Sequence, residues 1–516
     1  MVIPGLTLVL ERIVAPLPLW HARVSLEDWQ RAAIAVRQSD GRLVSLWARN
    51  DTAVRAVSVA YALTEGLAWL ELSLEAVEVS YPSLDTFFPA AARMQRAAMD
   101  LSGIGPEEVD DRRPWFNHGA WPEGYVPLRD GVPVTSDAAR GDATDYPFVR
   151  VEGDGVHEIA VGPVHAGVIE PGHFRFSVVG EKVLRLEQRL GYTHKGIEQR
   201  FTQLHPLQAH RLAGRVSGDS TVAYAWAYCM ALEAASRCEI PPRARWLRAL
   251  MLERERVANH LGDLGALGND VALAFGLAQF SRLREDWLRL SREVFGHRLM
   301  MDCIVPGGVC RDVDPARIES MSRQCVAIQR EVLALRGIYE EHAGLQDRFM
   351  GTGRVTPDLA GRLGLTGMAG RASGQARDLR CDQPWAPYDA LTVKMATQRN
   401  GDVAARATVR FDEVAESMRL IRALLADLPA GAVCTPVNLP ANGTRGAGWI
   451  EGWRGEIFVA LEIGGDADGH TIRRCHCHDP SWQNWPVLDH AVMGNIVPDF
   501  PLINKSFNLS YSGHDL

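Results

Sequence analysis

Residues Gly162 to Phe201 read GPVHAGVIEPGHFRFSVVGEKVLRLEQRLGYTHKGIEQRF, and the reading of this stretch decides the fold. It begins inside a strand-like run, HEIAVGPVHAGVI, breaks at Glu170, Pro171 and Gly172, and resumes as a second strand-like run, HFRFSVVGEKVLRL. Pro and Gly between two apolar runs mark a turn. From about Gln203 helical spacing takes over. TVAYAWAYCMALEAASR carries small and aromatic residues on all sides, which suits a helix buried in a bundle. RARWLRALMLERERVANHLGDLG reads as amphipathic, with charge on one face. DPARIESMSRQCVAIQREVLALRGIYEEH starts with Asp314 as N-cap and Pro315 at the first helical position. DVAARATVRFDEVAESMRLIRALLADL is another long helix, and a β-rich stretch is expected from GWIEGWRGEIFVALEIGG to the C-terminus.

Upstream, residues 1–130 read as mixed α/β. LEDWQRAAIAVRQ has helical spacing, RLVSLWARN reads as a strand, and DTAVRAVSVAYALTEGL as a second helix. Gly131 to Asp145, GVPVTSDAARGDATD, is rich in Gly, Asp and Ser and reads as a linker, so the organisation is 1–130, linker 131–150 and 151–516. The chain has 516 residues, 47% hydrophobic, and a net charge of -8, which argues against a nucleic-acid partner. No run approaches the roughly 18 apolar residues of a membrane span. MVIPGLTLVL lacks the basic start and cleavage site of a signal peptide. Nine cysteines in so long a chain do not make a disulfide scaffold, so a reducing, cytoplasmic setting fits.

Three clusters invite chemical readings. The tail NLSYSGHDL gathers Ser510, Ser512, His514 and Asp515, but adjacency in sequence does not make a triad, and no G-x-S-x-G elbow occurs. Cys475 to His478, CHCH, would place its cysteines and histidines on opposite faces of a strand, and the second ligand pair of a structural zinc site is not evident. The glycines form neither G-x-G-x-x-G nor a phosphate-binding loop, so no dinucleotide or NTP site is expected.

The opening stretch resembles the corresponding segment of the family shared by NiFe-hydrogenase large subunits and the 49-kDa, quinone-site subunit of complex I. Further matches follow in the family's order: LERERVANHLGDLG, RASGQARDLR, NGDVAARATVRFDE, EGWRGEIF and PSWQNWPVLDHAVMGNIVPDFPLINKSF. FFPAAARMQRAAMDLSGIGPEEVDDRRPWFNHGAWPEGYVPLRD looks like the 30-kDa subunit of complex I. Fusion of these two modules is typical of the group 4, energy-converting hydrogenases, including those of formate hydrogenlyase. The implied fold class is α+β: an N-terminal α/β 30-kDa-like domain, then a mainly α-helical large-subunit-like domain with small peripheral β-sheets.

The family holds nickel and iron with two C-x-x-C pairs, since soft thiolates suit those metals. At the matching positions this chain has Ser217 and Ser220, in RVSGDSTVAYAWAYCMALE, and Ser510 and Gly513, in FNLSYSGHDL. The resemblance therefore implies that no metal and no cofactor is bound by this chain. The histidine and tyrosine that complex I places near quinone are replaced by Ile169 and Gly218, with His165, His173 or Tyr224 as stand-ins. Glu170 matches the glutamate that carries protons beside nickel, a role that burial favours by bringing a carboxyl pKa towards neutrality. Arg454 matches the arginine over the metal, with Glu451 beside it, and Asp219 is added inside the former cysteine motif. Glu170 and Arg454 are thus the candidate catalytic residues. Around them the pocket comprises His165, His173, Ser217, Gly218, Asp219, Ser220, Glu451, Ser510, Gly513, His514 and Asp515. A buried Glu–Arg pair that only satisfies itself is the competing reading.

The implied partners are a small, 20-kDa-like subunit carrying an iron–sulfur cluster, a membrane anchor and antiporter-like subunits. The implied place is the cytoplasmic side of the cell membrane, peripheral through those partners. Three functions follow from the resemblance: electron transfer coupled to ion translocation without a NiFe centre, a redox-inactive scaffold, or a quinone reductase with a remodelled site. The tail is expected to lie buried beside Ser217 and Ser220.

Overall fold

The computed structural model describes residues 3, 6, 8–51, 54–75, 79–129, 146–165, 169–466 and 469–516. The expected linker falls mostly outside the described residues. The chain is α+β, an N-terminal α/β unit followed by a mainly helical unit with small separate sheets.

In the N-terminal unit a five-stranded sheet runs in the order Glu11–Ile13, Leu19–Val24, Gly66–Leu74, Arg55–Leu63, Arg42–Asn50. Leu19–Val24 lies parallel to Gly66–Leu74 and the other neighbours are antiparallel. The expected helix is Leu26–Gln38, with the Ser25 hydroxyl accepting from the Asp28 N–H at 3.1 Å. The second expected helix is instead the strand Arg55–Leu63, which turns back into Gly66–Leu74. Its Val57, Val59 and Tyr61 favour a strand, but every residue from Ala56 to Ala62 is buried, so the polar alternation that betrays a strand is missing.

In the larger unit HFRFSVVGEKVLRL is not one strand but a hairpin, His173–Val179 and Lys182–Arg189, turning at Gly180 with φ +59°. Helix Pro242–Asp270 departs from the expected amphipathic pattern. Its Glu253, Arg254, Glu255 and Arg256 are all buried, because neighbouring segments supply ion pairs and hydrogen bonds on every side. Asp314 does cap Pro315–Glu341, accepting from the Arg317 N–H at 2.9 Å. The expected β-rich end has three strands, Arg445–Glu451, Glu456–Asp466 and Gly469–His478, but then becomes helical over Ser481–Ala491, Phe500–Phe507 and Tyr511–Asp515. These helices are short, which leaves little room for a 3.6-residue period to emerge.

One contact sets the position of the site. Helix Thr221–Ser236 presents Ala223, Ala227 and Ala231, one per turn, to Gly452, Gly448 and Gly446 of the facing chain. A Cβ on Gly446 or Gly448 would stand 1.9 Å from the carbonyl oxygens of Ala231 and Ala227. Only glycine permits so close an approach of strand and helix. Trp453 and Arg454, next in sequence, thereby arrive at the amino end of that helix. The N-terminal unit is clamped to the same sheet: Trp47 stacks on His476 with centroids 4.7 Å apart, Arg42 donates to Glu456 at 2.8 Å, and Arg49 pairs with Glu462.

Candidate functional site

The segment Ser217 to Ser220 leads into helix Thr221–Ser236, and the C-terminal helix Tyr511–Asp515 docks against it. The Ser217 hydroxyl lies 3.1 Å from the Ser510 hydroxyl and donates to Asp219 Oδ1 at 2.7 Å. Ser510 caps the last helix by accepting from the Gly513 N–H at 2.8 Å. Lys195, in the opening stretch, ties the two halves together: its Nζ donates to the carbonyls of Val216 at 3.2 Å and Ser512 at 3.4 Å. The tail is therefore buried where it was expected.

Arg454 pairs with Asp219, not with a glutamate. Its Nη1 and Nη2 reach Asp219 Oδ1 and Oδ2 at 2.9 and 2.5 Å, and its Nε donates to the Asn508 carbonyl at 2.6 Å. Burial works against the Asp219 charge, but Arg454 and the Ser217 hydroxyl outweigh it and hold the carboxyl below its ordinary value. Trp453 Nε1 adds a bond to the Ser220 hydroxyl at 3.0 Å. Gly218 is exposed and a Cβ there would meet nothing within 4 Å, so the site opens to solvent beside Asp219.

Two carboxylates carried over by motif sit elsewhere than expected. Glu170 is exposed and accepts from the Ser512 N–H at 3.1 Å, at the rim of the site. Its side chain reaches the surface, so the burial expected for a proton carrier is not found. Glu451 is buried but bonds Arg371 Nη1 at 2.8 Å, away from the Arg454 guanidinium. His165 and His173 are taken up by the carbonyls of Gly172 and Gly162 at 2.8 and 3.2 Å. Tyr224 donates to Asp479 Oδ2 at 2.8 Å. His514 Nδ1 faces Asp515 Oδ1 at 2.8 Å and its ring stacks on Trp482, while Asp515 accepts from the Thr193 N–H and hydroxyl at 3.0 and 2.7 Å. His514 and Asp515 thus anchor the tail, and among the described residues no serine hydroxyl bonds the His514 ring.

Sequence reasoning missed Asp479, Lys195, Asn508 and Glu255. Glu255 lies behind Asp219 and accepts from the N–H groups of Val222 and Ala223 at 2.7 and 3.2 Å. Burial pushes its carboxyl up to about 8 despite those bonds, and the Asp219 charge pushes the same way. Asp479 directly follows CHCH. That run is the end of strand Gly469–His478, where His476 pairs with Glu198 at 2.6 Å and His478 with Gln483 at 2.9 Å, leaving both cysteines buried.

Ser217, Ser220, Ser510 and Gly513 stand where the resemblance places the family's four thiolates. Serine hydroxyls are not ionised near neutral pH, and these are engaged with each other, with Asp219 or with Arg454. A Cβ on Gly513 would stand 2.4 Å from Asp479 Oδ2, so no side chain fits there without movement. The donor set does not fit a NiFe centre. Among the described residues no three His, Cys, Asp or Glu side chains are placed to hold a metal ion.

Residues 22–138 match the family described as respiratory-chain NADH dehydrogenase, 30 Kd subunit, and residues 270–440 match respiratory-chain NADH dehydrogenase, 49 Kd subunit. Formate hydrogenlyase subunit 5 of Escherichia coli (strain K12) is 31% identical, over 87% of this chain and 79% of that protein. This chain belongs to the hydrogenase large-subunit and complex I 49-kDa family. Hydrogenase-4 component G of the same strain is 30% identical, over 93% of this chain and 84% of its own length. These relatives of the family are subunits of oxidoreductase complexes. A chain from the membrane-bound sulfane sulfur reductase (MBS), an archaeal respiratory membrane complex, superposes with a TM-score of 0.65 over 70% of this chain and 99% of that one. At 23% identity it shows the shared fold. Among the described residues no helix is long and apolar enough to cross a membrane.

Proposed function

We propose that this chain is the large subunit of a membrane-associated oxidoreductase complex that works without a NiFe centre. The observation that carries this reading is the Asp219–Arg454 ion pair, 2.5 Å at its shortest, set among serines at the thiolate positions. Electrons arrive from an iron–sulfur cluster in a small partner subunit, and the complex couples their transfer to ion movement through an anchor and antiporter-like subunits. The chain itself sits at the cytoplasmic face. An acceptor, a quinone or another small molecule, enters beside Gly218 and meets the Asp219 carboxylate and the Arg454 guanidinium. Glu170, at the rim, exchanges protons with solvent.

Glu170→Gln and Gly218→Leu variants of the purified complex test this. The proposal expects both to assemble and to lose turnover by tenfold or more, with Gly218→Leu acting mainly on KM.

A scaffold reading draws on one observation: Arg454 makes four hydrogen bonds, to Asp219, Ser220 and the Asn508 carbonyl, all within its own chain. Unchanged turnover in both assembled variants would favour that reading.

A further inference from the structure

Strands Ile304–Val305 and Gly308–Val309 form a short hairpin with Ile304 opposite Val309 and Val305 opposite Gly308. One step outward, Cys303 faces Cys310, and the Cys310 N–H donates to the Cys303 carbonyl at 3.0 Å. The Cys303 N–H turns instead to the Met300 carbonyl at 3.2 Å, so the two residues share one of the two bonds of a hydrogen-bonded antiparallel pair. Such pairs hold their Cα atoms about 5.5 Å apart, inside the span of roughly 4.4–6.8 Å that a disulfide bridges. Cys310 is exposed and Cys303 is buried beneath it. The Cys303 thiol donates to the Phe295 carbonyl at 3.3 Å. Its nearness to the Cys310 sulfur, together with burial, keeps it protonated, and the same nearness, with Arg311 alongside, brings the Cys310 thiol down to about 7.

We propose that Cys303 and Cys310 form a reversible thiol–disulfide site, oxidised by low-molecular-weight disulfides. An exposed thiolate backed by a second thiol is the arrangement such chemistry needs. The Cys310 thiolate attacks one sulfur of the external disulfide, whose S–S bond breaks and releases one thiolate. The Cys303 sulfur then attacks Cys310, forming the internal S–S bond. The second external thiolate leaves with the Cys303 proton. The protein pair loses two electrons and the external disulfide is reduced to two thiols.

The hairpin adjoins the site described above. Asp302, next to Cys303, grips Arg215 through two bonds of 2.6 and 2.8 Å, and Arg215 lies two residues before Ser217. Met300 and Asp302 both hold left-handed backbone, φ +56° and +61°, a conformation that L residues rarely adopt. Met300 also lines the small cavity shared by Asp219 and Glu255. Closing the disulfide stiffens the turn that holds this loop.

Trypsin provides a direct test, because both cysteines fall in one peptide, Leu299 to Arg311. The purified complex is incubated with oxidised glutathione, blocked with iodoacetamide and digested. The expected product is that peptide lighter by two hydrogens, unalkylated, restored by dithiothreitol and absent from Cys310→Ser. Without oxidant, alkylation of Cys310 should rise with a midpoint near pH 7. A Cys310–glutathione adduct with Cys303 left free, a Cys310–Cys434 link, or no inflection below about pH 8 would overturn the proposal.

Discussion

The hydroxyl oxygens of Ser217 and Ser510 stand 3.1 Å apart across 293 positions of sequence, closing the gap between the two segments that hold metal in the resembled hydrogenases. Asp219 and Arg454 sit beside them, bonded through both terminal nitrogens of the guanidinium. This is a small polar core that satisfies itself.

The Arg454 guanidinium is buried, while the Asp219 side chain is partly open, at 36% exposure. Arg454→Met should therefore cost about 2 kcal/mol, less than the roughly 3–5 kcal/mol of breaking a fully buried pair. Thermal denaturation should show a melting temperature lower by a few degrees. An unchanged melting curve would mean that the pair contributes nothing.

Glu255 gives the chain a pH signature. Between its ordinary value of 4.5 and about 8 the folded protein holds a proton that the unfolded chain has released. Stability contributed there falls as pH rises through that window and levels off above it. Glu255→Gln should remove a slope of up to about 1.4 kcal/mol per pH unit. Denaturant titrations at several pH values would then show the variant gaining on the parent towards pH 8, and parallel curves would contradict this.

Two glycines of the site should respond oppositely to alanine. At Gly513 the new Cβ meets Asp479 Oδ2 at 2.4 Å and Ser510 Oγ at 2.8 Å, which predicts a loss of about 1–3 kcal/mol. At Gly218 nothing lies within 4 Å, and Gly218→Ala should leave stability within about 0.5 kcal/mol of the parent. Equal melting temperatures for the two variants would contradict the geometry.

The meeting of Ser217 with Ser510 was legible in the sequence, because the order of motifs places both segments at one site of the resembled family. Asp219 was legible for the same reason. Its bond to Arg454 was not, since the approach of those residues depends on Gly446, Gly448 and Gly452 meeting an alanine stripe far away in sequence. Glu170 shows the limit of carry-over by motif: position transfers, burial does not. Glu255 hid within LERERVANHLGDLG, where charge suggested a solvated face and the fold supplies partners instead. The strand Arg55–Leu63 was misread because burial on both faces erases alternation.

The proposed function has this member of the family working without nickel. Metal analysis of the intact, purified complex tests it most directly. The account predicts nickel far below one atom per large subunit, with iron attributable to the cluster-bearing partner. Stoichiometric nickel, one atom per chain, would contradict it.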